Sequence, residues 1–140
     1  HYLSKEKETT GYSHQFGWIH AFAHGGDLLT EVICHPRFPK SDIAEAFEII
    51  GKIFKRVEIR FINDEDWRLA RAFYEPILRG KIEPSLLTAW LQTVEFPLKE
   101  ANDFHKFSNF RSCLLEVYVQ LDQKNFLQDD LKEAIQSFQY

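Results

Sequence analysis

The side chains best suited to chemistry lie in one segment, 17–29, which reads Gly-Trp-Ile-His-Ala-Phe-Ala-His-Gly-Gly-Asp-Leu-Leu. His20, His24 and Asp27 follow one another at steps of four and three residues, so a helix would place them on one face. Two imidazoles at this spacing can supply two nitrogens to one divalent metal ion, and a carboxylate one turn further can add an oxygen. We therefore predict a ligand-binding or metal-binding site at these three residues and the neighbouring Trp18.

The same polar face has two other interpretations. In the first, the face is a half-buried surface in which Asp27 accepts a hydrogen bond. In the second, a histidine of this face is the general base of a hydrolase, and Asp27 orients it. No nucleophile can be placed beside this pair, since Cys34 would lie two turns beyond Asp27, roughly 10 Å away. The zincin signature is also absent, because no glutamate follows His20. The catalytic residues stay unassigned, and under every interpretation we expect Asp27 to be hydrogen-bonded and poorly exposed.

The other side of this helix predicts a core contact. A narrow apolar stripe contains Trp18, Phe22, Gly25, Leu29 and Val32, and it is widened by Ile19, Gly26 and Ile33. Two adjacent glycines inside a helix each cost about 1 kcal/mol relative to alanine. We therefore expect a neighbouring helix to pack closely against the bare backbone at this point.

The elements that must position these residues are helical almost throughout, because apolar residues recur at three- and four-residue steps along the chain. This pattern predicts an all-α protein of about six helices. The predicted boundaries are 17–34, a helix capped by Ser41 and running to about 57, one from Asn63 to Gly80, one from Pro84 to about 96, 104–121 and 128–138. The second helix should bury Ile43, Ala46, Phe47, Ile50 and Phe54, and the third Trp67, Ala70, Phe73, Tyr74 and Ile77.

The predicted helices fall into the pairs 17–57, 64–96 and 104–138, which begin roughly 40 residues apart, as HEAT-like helical hairpins do. We therefore predict one helical-repeat domain over 1–140, built of stacked antiparallel helical hairpins in an α–α superhelix. The alternative is an irregular bundle, because the units share no residue-by-residue repeat.

Composition excludes several classes of protein. The 140 residues carry a net charge of −4, which opposes binding to nucleic acid. No apolar run approaches the roughly 18 residues of a membrane span, so we expect no membrane insertion. The two cysteines are too few for a secreted disulfide framework and favour the cytoplasm. Because the chain begins with His rather than Met, we expect it to be part of a longer protein.

Two segments of the chain resemble a bacterial family catalogued as domain of unknown function 2785. The first is 17–29, the second is Asp-Glu-Asp-Trp-Arg-Leu-Ala-Arg-Ala over 64–72, and a Trp-containing helix follows at Leu86–Leu91. The residues that match one by one in the first segment are Trp18, His20, Ala23, His24, Asp27, Leu28 and Leu29. The resemblance implies an α-helical-repeat fold in a bacterial cytosol and proteins usually longer than this one, so that this chain would be a C-terminal part. It implies no reaction.

The function that these observations favour is a binding or interaction module, because stacked hairpins commonly bind partners along a concave surface. The partner would be a protein, a peptide or a small ligand, and the 15% aromatic content suits interface anchors. A homodimer is a further option, since the end helix of a stack exposes an apolar face. The alternative is a metal-dependent or His–Asp hydrolase that uses His20, His24 and Asp27.

Overall fold

The structure, a computed structural model, describes residues 12–13, 17–18 and 21–139. Within these residues the only strands are β1 (Tyr12–Ser13) and β2 (Gly17–Trp18), which pair antiparallel. The described helices are α1 (Ala21–Cys34), α2 (Ile43–Arg56), α3 (Glu65–Leu78), α4 (Pro84–Leu91), α5 (Ala101–Gln123) and α6 (Asp129–Gln136). The prediction of an all-α fold with about six helices is confirmed. None of the described helices is both long enough and apolar enough to cross a membrane.

The first helix begins later than predicted. Gly17 and Trp18 form β2, and the described helical residues begin at Ala21. The physical reason is pairing along the chain, since the backbone of Trp18 lies opposite that of Tyr12 in a short ladder. His14 and His20 lie outside the described residues, and only the backbone of Trp18 is described.

Three other helix boundaries differ from the predictions. The residues that cap α2 and α3 are Asp42 and Asp64, each one position after the predicted Ser41 and Asn63. Helix α4 begins at Pro84 as predicted but ends at Leu91, well before Pro97. Gly80 ends the α3 region as predicted, because its φ of 75° is the left-handed conformation that glycine adopts without strain.

The predicted core of the middle helices is largely confirmed. All five residues of the predicted α2 stripe are buried, as are four of the five in α3: Ala70, Phe73, Tyr74 and Ile77. The prediction is wrong for Trp67, which is 50% exposed in the first turn of α3, and for Val32, which is 43% exposed near the end of α1. Each lies near a helix end, where helical spacing alone does not establish burial.

The helices pack in two rows. In the odd row α1 packs on α3 and α3 on α5, and in the even row α2 packs on α4 and α4 on α6. Contacts along both rows join residues that are similarly far apart in the sequence: 41 positions for Asp27 and Arg68, and 42 for Glu48 and Trp90. Packing between every second helix, at a period near 40 residues, is typical of stacked helical hairpins. The superhelix itself stays a prediction.

The predicted pairing within the first hairpin is not the main contact of α1. This helix packs chiefly on α3, and the two run in the same direction, because Gly26 lies against Leu69 while Glu31, further along α1, reaches Arg79. The α2–α3 connection is in turn fixed to α5 by buried Asn109, whose side chain accepts the N–H of Phe61 at 2.9 Å. The rows are therefore joined by contacts far apart in the sequence.

Candidate functional site

The charged residues of α1 face a row of arginines on α3. Asp27 and Glu31 are one turn apart on α1, and their partners are Arg68, Arg71 and Arg79, the last of which caps the end of α3. We call these five residues the polar seam. It forms because acidic residues at a helical step on one helix meet basic residues at helical steps on a parallel neighbour.

Asp27 is bound by two arginines at once. Arg71 donates from Nη1 to Oδ1 at 2.8 Å, and Arg68 donates from Nε to the same oxygen at 3.2 Å and from Nη2 to Oδ2. The Asp27 side chain is 24% exposed. Both of its oxygens are thus occupied, and the expectation that Asp27 is hydrogen-bonded is confirmed.

Glu31 forms the more exposed half of the seam. Arg79 donates two parallel hydrogen bonds of 3.1 and 3.2 Å to the Glu31 carboxylate, an arrangement that fixes the orientation of both side chains. The Nη2 of Arg71 lies 3.7 Å from the same carboxylate, so Arg71 connects the two acidic residues. Because the Glu31 side chain is 60% exposed, water screens much of this attraction.

The ion pairs of the polar seam lower the pKa of its carboxylates and raise the pKa of Arg79. Burial acts to raise the pKa of Asp27, but the hydrogen bonds and charges of Arg68 and Arg71 outweigh it and lower the pKa. Hydrogen bonds from Arg79 lower the pKa of Glu31, and the bond to Glu31 raises the pKa of Arg79. Both carboxylates are therefore ionised at neutral pH, which suits ion pairing and does not suit a general acid.

A close contact between backbones lies beside the seam. A Cβ placed on Gly26 would be 3.1 Å from the carbonyl oxygen of Arg68 and 3.2 Å from the Cα of Leu69. Gly26 thus lets α1 approach α3 at the level of Asp27, and the expected packing of a helix against bare backbone is confirmed. Thr30 adds a bond within α1, since its hydroxyl donates to the carbonyl of Gly26 at 2.8 Å.

The structure describes only part of the predicted metal site. Asp27 is committed to arginines, the His24 side chain is exposed on α1, and His20 falls outside the described residues. Across 21–139 no group of three His, Cys, Asp or Glu side chains is arranged to hold a metal ion. A metal ligated by Asp27 would have to displace a guanidinium from its carboxylate. The three-residue site as a whole stays a prediction.

Neither cysteine has the features of a nucleophile. Cys34 is half-buried at the end of α1, and burial raises the pKa of its thiol. Cys113 is fully buried in α5, where burial raises the pKa well above its usual value. Since the thiolate is the reactive form, both residues are suited to packing.

A second candidate site lies where the connections between helices meet. We call it the loop edge, formed by residues 31–42 and 79–86. An open pocket of ≈ 470 Å³ has an almost wholly apolar lining and is bounded by Glu31, Val32, His35, Arg37, Phe38 and Pro39. A second pocket of ≈ 360 Å³ is lined by Lys40, Ser41, Gly80, Lys81, Ile82, Glu83 and Leu86. The two linings contain residues that are adjacent in the sequence, Pro39 in the first and Lys40 in the second.

Lys81 ties the two parts of the loop edge together. Its Nζ donates to the carbonyl oxygens of His35 at 2.8 Å and Phe38 at 2.7 Å, just past the end of α1. A cation in this position stabilises the carbonyl groups at a helix C-terminus. The shape of the pockets is thus held by a specific side-chain contact.

Sequence reasoning missed the arginines of the seam and the whole loop edge. The arginines had a usable signal, since Arg68 and Arg71 are three residues apart on a predicted helix and could match the four-residue step from Asp27 to Glu31. The loop edge had no such signal, because irregular connections have no periodicity to detect and its second pocket combines residues about 40 positions apart.

The seam joins the two segments that carry the family resemblance, 17–29 and 64–72, through Asp27, Arg68 and Arg71. No curated protein and no solved structure matches the chain. A family described as "Protein of unknown function (DUF2785)" has a sequence model that matches residues 1–134. The chain therefore belongs to the DUF2785 family.

Proposed function

We propose that this chain is a non-catalytic helical interaction domain and that its loop edge binds an acidic segment of a partner protein carrying one apolar side chain. The observation that carries the proposal is the pair of pockets, one with an apolar lining and one lined by lysines, whose linings are neighbours in the sequence at Pro39 and Lys40. Binding residues commonly lie on loops that a rigid scaffold positions. Here α1 and α3 supply that scaffold.

The apolar pocket suits an anchoring side chain. Val32 is 43% exposed and lines the pocket beside Phe38 and Pro39, so apolar surface faces water there. Covering such surface contributes roughly 25 cal/mol per Å² before the costs of association. A single aliphatic or aromatic side chain is the group that the pocket would take.

The charges around the pockets favour an acidic partner. Arg37 and Lys40 are exposed, and neither forms an ion pair with any described residue. Glu31 is paired with Arg79, so the unbalanced acids of the loop edge are Glu83 and the exposed Asp42. The cations Arg37, Lys40 and Lys81 outnumber them. The whole chain carries −4, and this edge is therefore a local exception that could orient an acidic segment.

Hydrolysis at the α1 face receives less support. The carboxylate that would orient a histidine is Asp27, and both of its oxygens accept bonds from arginines. A reducing cytoplasmic setting accords with an interaction domain whose Cys34 and Cys113 are free thiols. The proposal needs no bound metal.

A direct test uses two fluorescein-labelled synthetic peptides that differ only in charge, one of Asp and Glu and one of Lys, each around a central Leu. Anisotropy titrations at low salt should show binding of the acidic peptide, weakened about tenfold or more by Val32→Asp or by Arg37→Glu with Lys40→Glu. The matched controls are Ile59→Asp, at an isoleucine 49% exposed between α2 and α3, and Lys124→Glu.

Equal binding of the acidic and the basic peptide would contradict the proposed charge preference. Equal loss of affinity in Val32→Asp and Ile59→Asp would contradict the location. Failure of the acidic peptide to bind the wild-type chain at any concentration tested would overturn the proposal.

A further inference from the structure

Helix α5 has an outward stripe with almost no charge, flanked by Arg111 and Glu116. At steps of three and four residues it carries an outer stripe consisting of Phe104, Ser108, Ser112, Leu115, Val119 and Asp122. Phe104, Leu115 and Val119 are between 45% and 50% exposed. In a chain of which 27% is charged, a solvent-facing helix surface would ordinarily carry Lys and Glu at several of these positions. The outer stripe has one charged residue, Asp122, at its end.

The position of α5 explains why this face packs on no other helix among the described residues. The odd row runs from α1 through α3 to α5, and the buried side of α5 packs on α3 and α2. Its buried residues include Phe110, Leu114 and Leu121. The opposite side of α5 therefore lies at the end of the row.

We infer that the outer stripe is the interface of a twofold-symmetric homodimer in which α5 of one copy crosses α5 of a second copy in antiparallel orientation near Ser112. This interface is separate from the loop edge and does not depend on the proposed function. A twofold contact uses the same surface on both copies, so the stripe must be complementary to itself when reversed.

The order of residues in the stripe meets that condition. With the axis near Ser112, Phe104 of one copy faces Val119 of the other, and Ser108 faces Leu115. Large side chains thus meet small or medium ones, as close packing requires, and the two serines let the helices approach near the axis. A parallel arrangement would place Phe104 against Phe104 and Asp122 against Asp122.

Residues at and just beyond the ends of the outer stripe also come together in the antiparallel pair. Leu98, which is 44% exposed before α5, and Phe126, which is 39% exposed after it, come to the same end in an antiparallel pair. His105 and Asp122 also come to the same end, so an imidazole N–H can meet a carboxylate of the other copy. At 23 residues α5 is about 35 Å long, so an antiparallel contact can follow the outer stripe over several turns of both helices.

The first experiment measures oligomeric state by sedimentation velocity across a range of concentrations. The full chain should dimerise, and Leu115→Glu or Val119→Glu should weaken the dimer about a hundredfold, since each change occurs twice and removes about tenfold per copy. Val32→Glu on α1, at a valine of similar exposure, should leave the dimer unchanged. If a charged variant folds poorly, the milder Val119→Ser replaces it and should also weaken the dimer.

The second experiment fixes the orientation with single cysteines in a Cys34→Ser background. Ser112→Cys should form a disulfide dimer on mild oxidation, because the axis brings the two copies of residue 112 together. Val119→Cys should not, because its two copies would lie about 22 Å apart, far beyond the roughly 7 Å that a disulfide spans. A monomer at every concentration, a dimer insensitive to Leu115→Glu, or efficient linkage through Val119→Cys would each overturn the inference.

Discussion

Gly26 and Gly51 stand in comparable places in the two rows of helices, yet they meet different partners. Gly26 in the odd row faces the backbone of α3, with the Arg68 carbonyl oxygen 3.1 Å from where its Cβ would be. Gly51 in the even row faces a side chain, with the ring atom Cζ2 of Trp90 at 2.8 Å. The α1–α3 contact is therefore made by close backbones beside the polar seam. The α2–α4 contact is made by a buried aromatic ring, which also packs on Phe73 and Phe110 of the odd row.

The two contacts therefore differ in the free energy of unfolding that we expect them to contribute. Trp90 is 7% exposed, stacks on Phe73 at 5.2 Å and lies edge-on to Phe110 at 6.2 Å, so removing it empties a large volume. The charges of the polar seam are partly exposed, and water replaces part of any bond that is lost. Asp27, one of the residues that first suggested a chemical site, thus lies in the α1–α3 contact, which we expect to contribute less stability.

The largest expected effect is that of Trp90→Ala. Loss of the ring contacts and of the Nε1 bond to Glu48 should lower the free energy of unfolding by about 3–5 kcal/mol. Urea denaturation followed by circular dichroism measures the change. Trp67→Ala removes the same side-chain type from a site that is 50% exposed and should change stability by less than about 0.5 kcal/mol. Similar losses in the two variants would contradict the comparison.

The distinction between these tryptophans shows what the sequence could predict. Helical spacing placed Trp90 and Trp67 on apolar faces, and the structure buries the first and half-exposes the second. The apolar stripe of α2 was predicted correctly throughout, from Ile43 at its start to Phe54 near its end, because α3, α4 and α5 all pack on this helix. Spacing describes one helix at a time and does not say which neighbour covers its ends.

The candidate sites were predictable to a smaller extent. Asp27 was identified from its place on a helix face, and its hydrogen bonding was expected, but its partners Arg68 and Arg71 come from 41 and 44 residues away. Their choice depends on the packing of α1 on α3 rather than on α2. The β-pairing at Trp18 was missed for a similar reason, since two-residue strands have no periodicity to detect.

The next effect compares the two glycines directly. Gly51→Ala should destabilise the chain by about 1–3 kcal/mol, because the methyl group would overlap a ring packed among Phe47, Phe73 and Phe110. Gly26→Ala should cost less, since its contacts are longer, 3.1–3.2 Å against 2.8 Å; the gain in helix propensity of about 1 kcal/mol is common to both positions. Thermal and urea unfolding of both variants tests this order. A larger loss in Gly26→Ala would reverse it.

A smaller effect concerns Asp27 and pH. Asp27→Asn should cost about 1–2 kcal/mol at pH 7, an estimate reduced for the partial exposure of Asp27 and Arg68. Because the folded-state pKa of Asp27 is lowered, its contribution is complete above the unfolded value of about 3.9 and is lost as pH falls through the folded pKa. The stability difference between wild type and variant should therefore be constant from neutral pH to about pH 5 and shrink below about pH 4.

Urea titrations of both chains at a series of pH values measure this dependence. Glu116→Gln is a suitable control, because Glu116 is a half-buried carboxylate on α5 that lies outside the seam. A difference that grew as pH fell would mean that the two arginines do not stabilise ionised Asp27.

The smallest expected effect tests whether the α1 face is a structural contact or a metal site. Added Zn²⁺ should leave the unfolding temperature of the chain unchanged, because Arg68 and Arg71 already occupy both oxygens of Asp27. A ligand that binds only the native state must raise that temperature. A rise of several degrees that disappears in a His20→Ala, His24→Ala double variant would favour the metal site. In that event Zn²⁺ should also compete with the arginines for Asp27, and Arg68→Ala would increase the rise rather than remove it.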